Sequence, residues 1–170
     1  MKEIYFAGGC FWGTEHYFKQ VRGVVSTDVG YANGNTPMPT YEEVYSDKTG
    51  YVETVHVVYD PDIVDLALLV RLFFDVIDPL SYNQQGEDVG TRYRTGIYYT
   101  SDDDISVISD VYSSISELLG EKLAVELLPL KNYYSAEEYH QDYLEKNPMG
   151  YCHIPRLKMV SAYNANRKED

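Results

Sequence analysis

The sequence predicts an α+β fold, a two-layer sandwich in which helices pack on a mixed, largely antiparallel sheet. Two observations carry that expectation. Strand-like and helix-like stretches follow one another without a strict strand–helix–strand alternation, and several connections between them are short. No repeat, low-complexity stretch or linker divides the 170 residues, so residues 1–170 are read as a single domain that buries roughly 70% of the surface its unfolded chain exposes. A core of that size needs neither a disulfide framework nor a structural metal.

The elements follow in order. Residues 3–7 (EIYFA) read as a short strand broken by Gly8 and Gly9, and a helix begins around Cys10. Phe11, Phe18 and Val21 give that helix one apolar side, and Arg22-Gly23 ends it. A strand over 24–32 places Val25, Thr27, Val29 and Tyr31 on one face, and the stretch 33–50, rich in Gly, Asn, Pro and Thr, reads as a long loop. Residues 51–59 (YVETVHVVY) form the clearest strand, stopped by Asp60-Pro61. Leu66, Leu69, Val70, Phe73 and Ile77 recur at helical spacing until Asp78-Pro79. The polar, aperiodic stretch 80–94 is a loop of the length usually kept for function. A strand at 95–100 leads to a helix that opens on Asp102-Asp103-Asp104, where carboxylates favour the positive end of the dipole, and closes at Gly120. Another strand fits Lys122 to Leu128, and Ser135 with Glu138 reads as a capping box for a helix through Lys146. Residues 147–170 read as an irregular C-terminal segment carrying Cys152. The whole is expected to be built on a ferredoxin-like core.

The composition excludes several classes. A formal charge of −13 argues against nucleic acid and against an anionic membrane surface, and reads as solubility. Eighteen tyrosines supply apolar area with a polar tip, suited to cores and to polar pockets. The N-terminus shows no secretory signal and the chain no apolar run of ~18 residues, so a cytoplasmic location is expected. Neither CxxC nor HExxH occurs, and His16, His56, His140 and His153 show no ligand spacing, so no metal is expected. No Gly-rich phosphate loop follows a strand in the right context, so no nucleotide is expected. His140 reads as structural. His153 can tune its neighbour Cys152, although a lone surface histidine is the commoner case.

The segment Gly8-Gly9-Cys10-Phe11-Trp12-Gly13 joins a strand to a helix. A thiolate at a helix N-terminus gains from the dipole and from free backbone N–H groups, which lowers its pKa. Two glycines allow a tight turn and close approach of a substrate, and Phe11 and Trp12 place aromatic surface beside the sulfur. The alternative is a buried cysteine acting as a small apolar residue. Glu15, one turn later, would oppose a thiolate and is expected to point elsewhere. Glu53 shares a strand face with Tyr51, Val55, Val57 and Tyr59. Desolvation there would raise its pKa and keep it protonated, as a general acid requires. The pattern equally allows an edge position in which Glu53 reaches water.

The segments GCFWGTEHYF, VGYANG, PTYEEVYSDKTGYVE, QGEDVGTRYR and YHQDYLEKNPMGYC resemble the A-type peptide methionine sulfoxide reductases, in order and from about residue 4 to 155. The resemblance implies that Cys10 attacks the sulfoxide sulfur of methionine-S-sulfoxide while Glu53 protonates the oxygen. It implies that Tyr41 and Tyr93 hydrogen-bond that oxygen, that Phe11 and Trp12 hold the methyl group, and that Asp88 is an acid at the pocket. Methionine leaves, and Cys10 remains as a sulfenic acid, which condenses readily with a second thiol. Cys152 matches the resolving cysteine, in a segment expected to be mobile after Asn147-Pro148. The alternative for Cys152 is an inert thiol at a tail. A thioredoxin-like or other dithiol reductant would reduce the disulfide, with no bound cofactor. Oxidised proteins or peptides, and free methionine sulfoxide, are the implied substrates, and a monomer is the expected state.

Two departures from the family pattern stand out. Tyr45 occupies a position where many relatives have cysteine, and Tyr51 one where many have histidine. Neither removes a residue with an assigned step. A thiol peroxidase shares the sulfenic acid cycle, but nothing here supplies a donor set for a peroxide. A tyrosine-rich peptide-binding module with incidental cysteines is the non-enzymatic alternative.

Overall fold

A computed structural model describes residues 1–167. In chain order the regular elements are β1 (Lys2–Gly8), α1 (Phe11–Lys19), β2 (Val24–Ala32), α2 (Tyr41–Tyr45), β3 (Val52–Tyr59), α3 (Leu66–Val76), β4 (Gln84–Gln85), β5 (Asp88–Val89), β6 (Thr95–Tyr99), α4 (Asp104–Leu119), β7 (Glu126–Pro129), β8 (Tyr133–Ser135), α5 (Tyr143–Lys146) and α6 (Arg156–Asn164).

Six strands form one sheet in the order β7-β6-β1-β3-β2-β8, with every pairing antiparallel except β6 with β7. The central four, β6-β1-β3-β2, carry α1 between β1 and β2 and α3 between β3 and β6. That is the split βαβ arrangement of a ferredoxin-like core, as the sequence predicts. On the helix side, Phe6 stacks on Phe18 of α1 and Phe73 of α3 at 4.6 and 5.0 Å between ring centroids. These rings join Ile4, Val29, Val55, Val57, Leu69 and Ile97 in the main core. On the opposite side Tyr5, Ala7, Ala32, Val52 and Tyr98 form a smaller cluster covered by Leu130 and Tyr133. β1 and β3 are therefore buried on both faces, and whatever they carry at their ends is rigidly held.

Several local expectations are corrected. The 33–50 loop contains α2, started by a capping box between Thr40 and Glu43; five residues are too few to show a period. A bulge between Val24 and Ser26 leaves Val25 58% exposed, so the alternation of β2 starts only beyond it. The loop 80–94 holds the β4–β5 hairpin and a single 3₁₀ turn at Thr91–Tyr93. The strand expected from Lys122 begins only at Glu126, because Leu123 and Val125 fill the core from an irregular segment.

The capping box expected at Ser135 and Glu138 does not form. Ser135 ends β8, and its hydroxyl donates to Oδ2 of Asp28 at 2.8 Å. Gln141 is committed to the backbone of Val29, accepting from its N–H and donating to its carbonyl. The sheet edge thus claims the side chains that a helix over 135–146 would need, leaving a 3₁₀ turn at Glu138–His140 and the one-turn α5. The C-terminal segment, expected to be irregular, contains α6; its residues 168–170 lie outside the described residues. No helix among the described residues is long and apolar enough to cross a membrane.

Candidate active site

The site grows from the break between β1 and α1. Gly9 adopts φ +86°, a conformation L side chains rarely reach, and Cys10 follows as the N-cap of α1 with φ −56° and ψ 124°. Thr14 fastens the turn, its hydroxyl placed 3.2 Å from the carbonyls of both Gly8 and Cys10. The backbone N–H groups of Trp12 and Gly13, free donors of the helix start, pull the Cys10 pKa down, although its side chain makes no capping hydrogen bond.

Those donors do not decide the ionisation of Cys10. The side chain is 6% exposed. Burial pushes the thiol well above its ordinary range, the Glu53 carboxylate beside it pushes further, and the two N–H groups pull back too weakly to win. The lowered pKa expected from the helix start is therefore corrected: in the free protein Cys10 is a thiol.

Glu53 is the second residue of β3, the strand between β1 and β2, paired with Tyr31, and is 2% exposed. The edge alternative falls with that placement. Its Oε1 accepts from the backbone N–H of Phe11 at 3.1 Å, so the carboxyl lies at the first turn of α1. Burial raises its pKa to about 8, against the pull of the Phe11 N–H and the Arg92 guanidinium. At neutral pH the group is mostly protonated and so does not oppose a thiolate at Cys10.

Tyr41 opens α2, its backbone N–H donating to Oε2 of Glu137 at 3.0 Å. Tyr93 is buried in the 3₁₀ turn after β5. Burial and then the Glu53 charge raise both hydroxyls, Tyr41 to about 12, and Tyr41 also feels Cys10. Both therefore remain proton donors at neutral pH. Arg92, paired with Asp47 at 2.6 Å, holds this wall. Its guanidinium lies 4.1 Å from the ring centroid of Tyr45 and 4.4 Å from that of Tyr93. Tyr45, one of the two departures, thus has a cation–π role. Tyr51, the other, is buried and donates its hydroxyl to the carbonyl of Thr36.

Phe11 is buried, with its ring centroid 5.2 Å from that of His140. Trp12 stacks on Tyr143 at 3.8 Å, and its Nε1–H donates to Nδ1 of His140 at 3.0 Å. His140, expected to be structural, holds the orientation of the Trp12 indole and touches the Phe11 and Tyr41 rings. Asp88 accepts from the Tyr151 hydroxyl at 2.9 Å, and its charge reaches Cys10, Glu53 and His153. His140 and Tyr143, whose sequence setting suggests only structural and packing roles, and Tyr151, which no sequence signal singles out, are site neighbours, and all three lie in the single block YHQDYLEKNPMGYC. Glu15 turns away from Cys10, as expected, and accepts from Thr27 Oγ1 and the Asp142 N–H.

Cys152 is half-buried, and its Sγ lies 3.4 Å from the Ile154 carbonyl. A Cβ placed on Gly13 would stand 3.2 Å from that sulfur and 3.0 Å from Nδ1 of His153. The segment around Cys152 is therefore packed on the first turn of α1, rather than trailing as the mobile tail expected. His153 is likewise half-buried, not a surface residue. Both cysteines are free thiols. A groove opens beside Cys152 rather than over Cys10, lined by His16, Leu144, Pro148, Met159 and Tyr163 among others. Among the described residues no group of three or more His, Cys, Asp or Glu side chains could hold a metal ion.

Comparison with known proteins agrees with this geometry. The family model described as "Peptide methionine sulfoxide reductase" matches residues 2–170. The peptide methionine sulfoxide reductase MsrA of Clostridium acetobutylicum is 53% identical over 92% of this chain and 96% of its own length. Mxr1 of Saccharomyces cerevisiae in reduced form superposes with a TM-score of 0.85 at 39% identity, covering 91% of each chain. Mxr1 has also been solved in complex with Trx2; that structure matches with a TM-score of 0.59 at 28% identity over 84% of each chain.

Proposed function

The chain belongs to the peptide methionine sulfoxide reductase family and reduces methionine sulfoxide; on that premise we propose that Cys10, Glu53 and Cys152 carry out the reaction in that order. The observation that supports this most is the buried carboxyl of Glu53, raised to about 8, at the helix turn that holds the Cys10 thiol.

Methionine-S-sulfoxide enters with its methyl group against Phe11 and Trp12 and its oxygen toward Glu53, Tyr41 and Tyr93. The Cys10 sulfur bonds to the sulfoxide sulfur as Glu53 gives its proton to the oxygen. The carboxylate then takes up the proton that the Cys10 thiol loses, so the acid is regenerated. The two tyrosine hydroxyls donate to the oxygen while it carries charge, where fixed donors stabilise a transition state most. The hydroxyl ends on Cys10 and the bond to methionine breaks. Methionine has gained two electrons, and Cys10 is a sulfenic acid. Cys152 then attacks the Cys10 sulfur, forming a disulfide and releasing water. An external dithiol reduces that disulfide, returning two thiols and leaving oxidised with its own disulfide.

Thioredoxin fits as that dithiol. A yeast relative has been solved in complex with Trx2, and the groove beside Cys152 leaves this sulfur open to a partner. The substrates are oxidised proteins and peptides carrying the S epimer, the chain acts as a monomer, and no bound cofactor takes part.

The test uses dithiothreitol and the two separated epimers of a blocked methionine sulfoxide. The S epimer should be consumed and the R epimer left. An untouched S epimer would sink the assignment.

A further inference from the structure

The segment after α5 is pinned at two points on either side of Cys152. The Tyr151 hydroxyl donates to Asp88 at 2.9 Å, and Nε2 of His153 lies 3.0 Å from the carbonyl of Gly8. A carbonyl only accepts, so the Nε2 atom carries the hydrogen. In the neutral ring Nδ1 is then a bare acceptor. That Nδ1 is buried and has no hydrogen-bond partner. An unpaired buried acceptor carries a free-energy cost that a native structure seldom retains without use.

Its position gives it one. Nδ1 and the Cys152 sulfur approach the same point above the Cα of Gly13, at 3.0 and 3.2 Å. Only a glycine leaves that point empty. The same Gly13 lies in the first turn of the helix that Cys10 caps. Cys152 and the imidazole therefore pack on the first turn of α1, the turn that Cys10 caps.

We propose that His153 is the proton acceptor for Cys152 in the resolving step. This rests on the reading of Cys152 as the resolving thiol. Burial holds Cys152 as a thiol, above its ordinary pKa, so it needs a base before it can attack. Burial also lowers His153, which keeps its ring neutral and ready to accept. Turning away from the Ile154 carbonyl toward Cys10, the sulfur gives its proton to Nδ1. The new bond forms between the two sulfurs, and the bond from the Cys10 sulfur to its hydroxyl breaks. The departing hydroxide takes the proton back from Nδ1 and leaves as water, so His153 ends neutral. The transient imidazolium keeps Nε2–H on Gly8 and is favoured by the charge of Asp88.

The test is a single turnover without reductant, following methionine release and thiol loss together. In the wild type the second thiol should disappear in step with methionine. His153→Gln can keep a donor to Gly8 while removing the base. It should release methionine at the wild-type rate, which also reports that it is folded. Loss of its second thiol should lag at least tenfold, with a trappable sulfenic acid in between. His153→Asn, which has no ionisable nitrogen, should show the same lag. Loss of the second thiol within twofold of wild type in either variant would overturn the proposal. Equal slowing of methionine release and disulfide formation in both would also overturn it, by making His153 structural. Loss of one thiol alone in the wild type would instead bring down the resolving role of Cys152 itself.

Discussion

The backbone N–H of Phe11 donates to Oε1 of Glu53 at 3.1 Å, tying the first turn of α1 to the start of β3. This bond brings an acid from one buried element beside a thiol from another. It also sets their ionisation against each other. Burial raises Cys10 most, and a charged Glu53 raises it further, so a standing thiolate and a standing carboxylate disfavour each other.

A pH dependence follows. Glu53 is protonated below about 8 and loses its proton above it. Sulfoxide reduction measured in single turnover should therefore fall as the pH rises through about 8. Glu53→Gln should remove that descending limb and lower the rate by roughly 10²–10⁴-fold, the usual contribution of a general acid. A descending limb that persists in the variant would assign it to another group.

The same carboxyl costs stability. Its folded pKa, about 8, lies above the ordinary carboxyl value of 4.5, so the folded state binds the proton more tightly than the unfolded chain. Its burial is tolerated at low pH and becomes destabilising as the pH rises from 4.5 toward 8. Glu53→Gln keeps an acceptor for the Phe11 N–H and removes the charge. Its melting temperature should match the wild type near pH 4.5 and exceed it by a margin that grows up to about pH 8, then levels off. Melting curves across that range check the sign. A margin that shrinks with pH contradicts the burial argument.

Trp12 is the only tryptophan in the chain, so its fluorescence reports on the site alone. His140→Phe removes the acceptor of the indole N–H but keeps an aromatic ring among its neighbours. Leaving that donor unpaired costs about 1–3 kcal/mol. A loss of about 1.4 kcal/mol in holding the indole is tenfold in kcat/KM. The expected result is a shifted emission maximum with kcat/KM reduced about tenfold or more. Unchanged emission and activity would mean that Tyr143 stacking alone positions Trp12.

The site was legible wherever a local pattern carried the chemistry. The glycines before Cys10 announced a strand-to-helix turn, and the alternation of 51–59 put Glu53 on an apolar face. What the sequence did not show came from packing. The sign of the Cys10 shift depends first on how completely it is buried and then on Glu53, 43 positions away in the chain. The place of His140 depends on the edge of β2 claiming Gln141 and Ser135, which dissolves the helix that the capping pattern suggested. The strand β8 and the helix α2 are too short to show a period, and α6 has no clean apolar stripe, so no sequence pattern announces them. The docking of Cys152 on α1 rests on the missing side chain of Gly13, which is visible only once the two segments are together.

The proposed cycle has Cys10 take the oxygen and Cys152 resolve it. The most direct measurement counts methionine formed and thiols lost when the reduced protein meets excess S epimer without reductant. The expected result is one methionine per chain and two thiols lost in the wild type, one methionine and one thiol in Cys152→Ser, and neither in Cys10→Ser. Methionine formed by Cys10→Ser, or a wild type that loses a single thiol, would contradict it.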